Sequence, residues 1–437
     1  MIKVKKLVAT TIISMSTLSA MAVAQTEIQW WHSMDGALGN WVEDLAEGFN
    51  KSQKDYKVTP VYKGSYDQSM TAGVAAYRAG EAPDILQVFE VGTASMIYAD
   101  GVTKSVTEIM KENDVPFDLN DYIPAVASYY TAPNGELLSL PFNSSTTVMY
   151  YNKDAFKKAG LNPEAPPKTW DEVKNAAVKL KASGSSCPMT TEWISWVHLE
   201  SFSAWHDQPF ASQNNGFDGL DVELMFNQPL QVRHFNNLSD MAKEGLFIYK
   251  GRASNAGPAF ISGECAITFG SSASYGSLKR DAKFDFGETS LPYYADIEAA
   301  PQNTVIGGAS LWVLSGKPDS HYKGISQFFE YLSEPDVQAK SHMRTGYLPV
   351  TTEAFEITEK SGFYDENPGA NVPVEQMVRK TTDNTRGIRL GNMLQIRAII
   401  DEETEQIWTG KKSAQEALDA AVNRGNALLK RFERVNQ

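Results

Sequence analysis

Cysteine is nearly absent from this sequence: 437 residues carry two, Cys187 and Cys265. No CxxC pair and no Cys-rich metal site can be built from them, which removes zinc-ribbon and thioredoxin-type chemistry. Whether they form a disulfide is left open, because spacing alone does not place two thiols within bonding distance. The six histidines make no HExxH, and neither a P-loop nor a dinucleotide fingerprint is present. Excess positive charge is also missing: 40 Lys and Arg stand against 53 Asp and Glu, a net charge of -13. A diffuse negative field argues against nucleic acid as partner. It leaves an anionic small molecule open, since local dipoles and one Arg can outweigh a field that salt screens over about 8 to 10 Å. Beyond Val23 no apolar run approaches the roughly 20 residues of a spanning helix.

The chain does begin with a charged start, Met1 to Lys6, an apolar run from Leu7 to Val23, and an A-x-A exit at Ala22-Val-Ala24. That order predicts a secretory signal peptide, residues 1–24, cleaved after Ala24, and hence an exported protein without stable membrane insertion. Losing Lys3, Lys5 and Lys6 leaves 37 basic against 53 acidic side chains. The remaining length suits two lobes rather than one core.

Glu27 to Trp31, Val58 to Tyr62, Asp84 to Glu90, Thr146 to Tyr151 and Cys265 to Phe269 read as strands. Trp41, Val42, Leu45 and Phe49 recur at helical spacing, and Met70, Val74 and Tyr77 mark a second helix stopped by Gly80. Thr169 with Glu172, and Ser413 with Glu416, have capping-box spacing. The final helix would bury Leu418, Val422, Leu429 and Phe432. Ser212 to Gly219 is a polar turn. No long linker separates the halves, so the chain should cross between lobes several times; Phe142 to Thr146, Val305 to Ala309 and Thr345 to Val350 are the candidate hinge segments. The expected class is α/β, with lobe 1 at 25–142 plus 309–345 and lobe 2 at 143–308 plus 346–437.

Catalytic readings find little support. His198 and His206 bracket an aromatic stretch holding Glu200, but their spacing fits core or surface histidines better than metal ligands. Asp401, Glu402, Glu403 and Glu405 look like a solvated helix face. More informative are Tyr66, Glu90, Ser144, Ser145, Trp193, Trp196, Ser271, Ser272, Gly307, Gly308 and Tyr347, which cluster at the ends of predicted strands, where open α/β sheets bind ligands. Hydroxyls, amides and a Gly pair suit phosphate or sulfate oxygens. Trp193 and Trp196, set among polar residues, suit a wall that stacks on a polyol or a choline headgroup.

Phe142-Asn-Ser-Ser-Thr146, Tyr150 to Gly160 and Pro166-Pro-Lys-Thr-Trp170 resemble the extracellular solute-binding family that includes maltose-binding protein. Trp31 to Met34, Tyr62 to Tyr66, Leu86 to Gly92, Ile306 to Trp312, Thr345 to Pro349 and Gly387 to Met393 resemble, more narrowly, its glycerol-phosphate-binding branch. The likeness runs from Thr26 to Phe432. It implies a two-lobed periplasmic binding-protein fold with a multi-segment hinge and an interlobe ligand cleft, and a non-catalytic monomer without cofactor or metal. The partners it implies are glycerol-3-phosphate or a diester such as glycerophosphocholine, two transmembrane permease subunits and, through them, an ATPase. Carried over by motif, the ligand contacts fall on Tyr66, Glu90, Ser145, Trp193, Trp196, Ser271, Gly308, Tyr347 and Arg397. Ser145, Ser271, Gly308, Tyr347 and Arg397 would hold the phosphate, with Arg397 as its cation; Tyr66 and Glu90 would take the glycerol hydroxyls and Trp193 the carbon chain. On that reading Arg397→Ala loses affinity and leaves the empty protein's melting temperature nearly unchanged. Phe269 to Ala273 and Thr190 to Glu192 depart from the branch pattern, which leaves monoester against diester open and allows Ser271 and Ser272 to exchange places. A sugar-binding protein of the same fold is the alternative.

Overall fold

The computed structural model describes Gln25 to Gln437 apart from Lys380; the expected signal peptide lies outside the described residues. The first sheet contains β1 (Thr26–His32), β2 (Tyr56–Tyr62), β3 (Ile85–Phe89), β4 (Thr103–Lys104), β5 (Leu140–Pro141) and β10 (Ala309–Leu314), in the order β2-β1-β3-β10-β4 with β5 also pairing β10. The second contains β6 (Thr147–Asn152), β7 (Cys187–Thr191), β8 (Cys265–Ser271) and β9 (Phe286–Thr289), in the order β7-β8-β6-β9. β1 runs parallel to β2 and β3, while β10 runs antiparallel to β3. Every residue of β6 and β10 is buried, the pattern of a strand covered on both faces. Cys187 and Cys265 face each other across the parallel pair β7 and β8 and are joined by a disulfide.

Each sheet has its own core. Helix Gly36–Ser52 buries Trp41, Val42, Leu45 and Phe49 against the first, as its spacing predicts, and Trp41 stacks on Phe142 at 4.9 Å. Helix Tyr66–Ala79 forms where Met70, Val74 and Tyr77 mark it and stops at Gly80; Met70 and Tyr77 are half-buried, Ser69 and Gly73 are buried, and Val74 is 42% exposed. Leu86 of β3 packs where a side chain at position 73 would stand, so small residues bring the helix backbone down onto the sheet. Both capping boxes form. Leu418, Val422 and Leu429 join the second core, with Phe432 half-buried beside them.

Asp401 to Glu405 is not a solvated face. Glu403 is buried and paired with Lys412 and Arg424, and Glu405 takes Arg252 through two bonds. The polar turn expected over Ser212 to Gly219 begins with Gln213, Asn214 and Asn215 in succession at positive φ. His198 and His206 are core residues: His198 shares a hydrogen bond with His234 at 3.0 Å and another with Thr191, and burial lowers the His198 and His206 pKa values to about 3 and about 4.

Two connections between the sheets lie side by side. Ser145 and Gly307 bond each other's backbones, at 3.1 and 2.9 Å, and Asn143 N donates to Ala309 O. Thr345 to Val350 bonds to the first of them, Leu348 N to Ser144 O, yet keeps Tyr347, Leu348 and Val350 within the first core. Further on, Gln376 reaches the second sheet, its side chain bonding Thr147 O and Leu291 N.

Candidate ligand-binding site

Between the sheets lies a cavity of ≈ 370 Å³ lined by all nine of the carried-over residues, Tyr66, Glu90, Ser145, Trp193, Trp196, Ser271, Gly308, Tyr347 and Arg397. Glu90 arrives from the end of β3, Ser271 from the end of β8, and Ser145 and Gly308 from the connections between the sheets. Ser271 lines the cavity, whereas Ser272 is wholly buried and accepts from Thr146 N.

Local backbone geometry is unusual at three of these positions. Gly308 has φ of 89°, and a Cβ there would collide with the Asn143 carbonyl, so this close approach of two connections requires glycine. Trp193 holds φ of 48°, a left-handed conformation costly for an aromatic residue and of the kind that collects at ligand sites. Trp196–Ser201 is a turn of π-helix, from which Trp196 lines the cavity while Glu200 is buried behind Arg397.

Aromatic rings form one wall. Tyr66 stacks on Phe89 with centroids 4.5 Å apart and planes within 2°, the Arg397 guanidinium lies 5.2 Å from the Phe89 ring, and Trp193 lies beyond it. Asn143 Nδ2 donates to Tyr66 Oη at 2.9 Å and fixes the ring.

Arg397 occupies the cavity but not as a free cation. Its Nε and Nη2 each stand 2.7 Å from an oxygen of Glu200, and Nη2 also lies 2.7 Å from Glu90 Oε1. Burial pulls the guanidinium pKa down, but Glu200 and Glu90 outweigh it and hold the group charged. One cation between two carboxylates carries no surplus positive charge. Arg397 and Glu90, expected to serve different parts of the ligand, touch each other in the structure. Arg397 can still offer Nη1, which makes none of these contacts.

Several polar groups around the cavity are left without partners. Ser33 Oγ and Trp196 Nε1 have no hydrogen-bond partner among the described residues, and the Glu90 carboxylate has none besides the Arg397 contact at Oε1. Ser33 Oγ and Glu90 Oε2 are thus free to meet polar groups of a ligand. Burial raises the Glu90 carboxyl to about 7, with Arg397 opposing and Glu200 reinforcing the rise. Glu200, Ser33 and Phe89 were not among the expected contacts; Ser33 lies inside the Trp31 to Met34 segment already singled out, while nothing in local sequence marks Glu200 as the partner of Arg397. Among the described residues no group of His, Cys, Asp and Glu is arranged to hold a metal ion, and no helix is long and apolar enough to cross a membrane.

Two α/β bodies flanking a polar cavity define a solute-binding protein. A family described as bacterial extracellular solute-binding protein matches residues 44–371, and the chain belongs to it. Its activity is accordingly binding rather than catalysis. Among its relatives, the sn-glycerol-3-phosphate-binding periplasmic protein UgpB of Yersinia enterocolitica is 55% identical over 421 residues, 96% of each chain, and that of Salmonella typhimurium is 52% identical over 96% of each. The fold also matches the crystal structure of UgpB from Mycobacterium tuberculosis in complex with glycerophosphocholine, with a TM-score of 0.79 at 22% identity, covering 94% of this chain and 100% of that one. A cyclic α-maltosyl-1,6-maltose binding protein from Arthrobacter globiformis matches at 0.76 and 22%, over 93% and 100%.

Proposed function

We propose that the protein captures sn-glycerol-3-phosphate and glycerophosphodiesters outside the cytoplasm and delivers them to an importer. The observation that carries this reading is the Glu90 carboxylate, whose Oε2 has no partner and can accept ligand hydroxyls, within one cavity of neutral donors suited to phosphoryl oxygens. Ser145, Ser271, Tyr347, the Gly308 amide and Trp196 Nε1 grip the phosphoryl group. Glu90, Tyr66 and Arg397 Nη1 take the glycerol hydroxyls, and Trp193 covers the carbon chain. Binding by neutral donors suits a monoanionic diester as well as a monoester, because no strong positive field demands a second charge. The two relatives above 50% identity, named for glycerol-3-phosphate binding, support the same choice.

The exported form starts at Gln25 and works in the periplasm as a monomer. Its two lobes, built on the two sheets, close about the segments near Ser145 and Gly307, and the closed form is read by two permease subunits coupled to an ATPase. Calorimetric titration with glycerol-3-phosphate, glycerophosphocholine, inorganic phosphate and maltose tests the assignment. Saturable binding of the first two with at least about a hundredfold preference over the others is expected. Preference for maltose would establish the sugar-binding alternative.

A further inference from the structure

A second chamber, of ≈ 270 Å³, opens from the main cavity through Ser254, Ser274 and Ser277, which line both. Its walls are Tyr150, Pro258, Phe260, Ile261 and Leu278, with the Tyr150 and Phe260 ring centroids 6.4 Å apart. Two polar side chains face it from inside this apolar surface. Glu192 is 5% exposed, and Thr268 is 4% exposed with its Oγ1 lacking any hydrogen-bond partner among the described residues.

The carboxyl of Glu192 sits in a fitted niche. One oxygen lies where a Cβ at Gly257 would stand and the other where a Cβ at Gly270 would stand, so both glycines are required for it to reach this position. No cationic side chain among the described residues offsets its burial, which raises its pKa to about 8; the neighbouring Ser274 hydroxyl alone favours the ionised form. A buried carboxyl with no cation of its own, at the edge of a chamber lined by Tyr150 and Phe260, is a surrounding that recognises an organic ammonium ion, giving up its proton as the positive charge enters.

Ser271, at the phosphoryl end of the main cavity, precedes Ser274 by one short turn, so a second ester arm leaving the phosphate there passes Ser274 and Ser277 into the chamber. We propose that this chamber is a subsite for the ammonium-bearing alcohol of a glycerophosphodiester, with Glu192 as its counter-ion and Tyr150 and Phe260 as its aromatic walls. The inference rests on the function proposed above and adds a specificity to it: ammonium diesters are preferred over diesters whose second alcohol is neutral.

The test compares wild type and Glu192→Gln by calorimetry with glycerol-3-phosphate, glycerophosphoethanolamine, glycerophosphocholine and glycerophosphoglycerol. Wild type should bind the two ammonium diesters at least about tenfold more tightly than glycerophosphoglycerol, and Glu192→Gln should cut that ratio to about two or less. The primary and quaternary ammonium ligands separate hydrogen bonding to Glu192 and Thr268 from cation-π attraction. Equal wild-type affinities for charged and neutral diesters overturn the proposal without any variant, so poor folding of Glu192→Gln does not shield it. A variant that weakens all diesters alike also overturns it. Failure of wild type to bind glycerol-3-phosphate or any diester would instead sink the broader function.

Discussion

Arg397, which lines the ligand cavity, and Glu200 meet as a two-pronged ion pair, Nε to Oε1 and Nη2 to Oε2, both at 2.7 Å. Glu90 stands on the other side of the same guanidinium. The charge that the family resemblance assigned to a phosphate is thus shared between two carboxylates, and Arg397 is the strut that allows them to occupy one buried place. Attraction in such a triad offsets a large desolvation cost, so removing the middle member exposes the whole cost.

It follows that Arg397→Ala cannot leave the empty protein's stability nearly unchanged. Two buried carboxylates would face each other without a cation, and a loss of about 3 to 5 kcal/mol is expected. Urea unfolding of the ligand-free variant reads this directly. An unchanged midpoint at equal m-value would show that the triad is not as tightly coupled as the distances indicate.

Glu90 gives the site a pH dependence. An ionised carboxylate accepts two ligand hydroxyls, whereas a protonated one must give up its hydrogen first, and burial holds the group near 7. Affinity for glycerophosphoglycerol, which has no group titrating nearby, should rise between about pH 6 and 8, approaching tenfold per unit below the Glu90 pKa. Glu90→Gln should bind weakly and lose most of this slope. A flat wild-type profile would mean that Glu90 does not accept from the ligand.

Gly308→Ala tests the meeting of the two connections. The new methyl would need left-handed backbone and the space of the Asn143 carbonyl, so at least about 1 to 3 kcal/mol of stability should be lost. Binding should weaken by more than about tenfold, because the Gly308 amide is displaced from the cavity. Wild-type affinity in a folded variant would remove that amide from the site.

The disulfide between Cys187 and Cys265 ties neighbouring strands across a sequence separation of 78 residues. Closing so long a loop constrains the unfolded chain, and replacing both cysteines by Ala should cost about 2 to 5 kcal/mol. The urea midpoint of wild type under thiol reductant should move toward that of the double variant. No shift in either would place the stability of the second body elsewhere.

Much of the fold was legible because local signals agree with it. Strand runs such as Ile85 to Phe89 are apolar but for Gln87, capping boxes at Thr169 and Ser413 mark helix starts, and Trp41 to Phe49 keeps helical period on its buried face. The helix over Gly73 forms and stops as Met70, Val74, Tyr77 and Gly80 mark it, but its buried face was not legible, because small residues make the close approach to the sheet. All nine site residues gather in one cavity, since strand ends and connections bring them together. Their pairings were not legible: Glu200 and Arg397 are 197 positions apart, and only the tertiary fold and a π-turn make them partners. Glu192 was noticed as a departure in pattern, but its niche depends on Gly257 and Gly270, which no spacing rule connects to it.

Glu192 also leaves a mark on stability that needs no ligand. Its carboxyl titrates from the ordinary 4.5 in the unfolded chain and is raised to about 8 by burial in the folded one. Between those values the folded protein retains a proton that the unfolded chain has released, so this group's contribution to stability falls as pH rises through the window. His198 and His206 act in the opposite sense, being held neutral by burial and costing stability as pH drops below their ordinary 6.5. They remain in Glu192→Gln and cancel in the difference between the two proteins. The free-energy gap should therefore move in favour of Glu192→Gln by about 1.4 kcal/mol per pH unit, measured by urea unfolding at about pH 5.5, 6.5 and 7.5. A gap independent of pH would mean that the Glu192 carboxyl is hydrated in the folded protein, and the chamber would then be too wet to single out an ammonium ion.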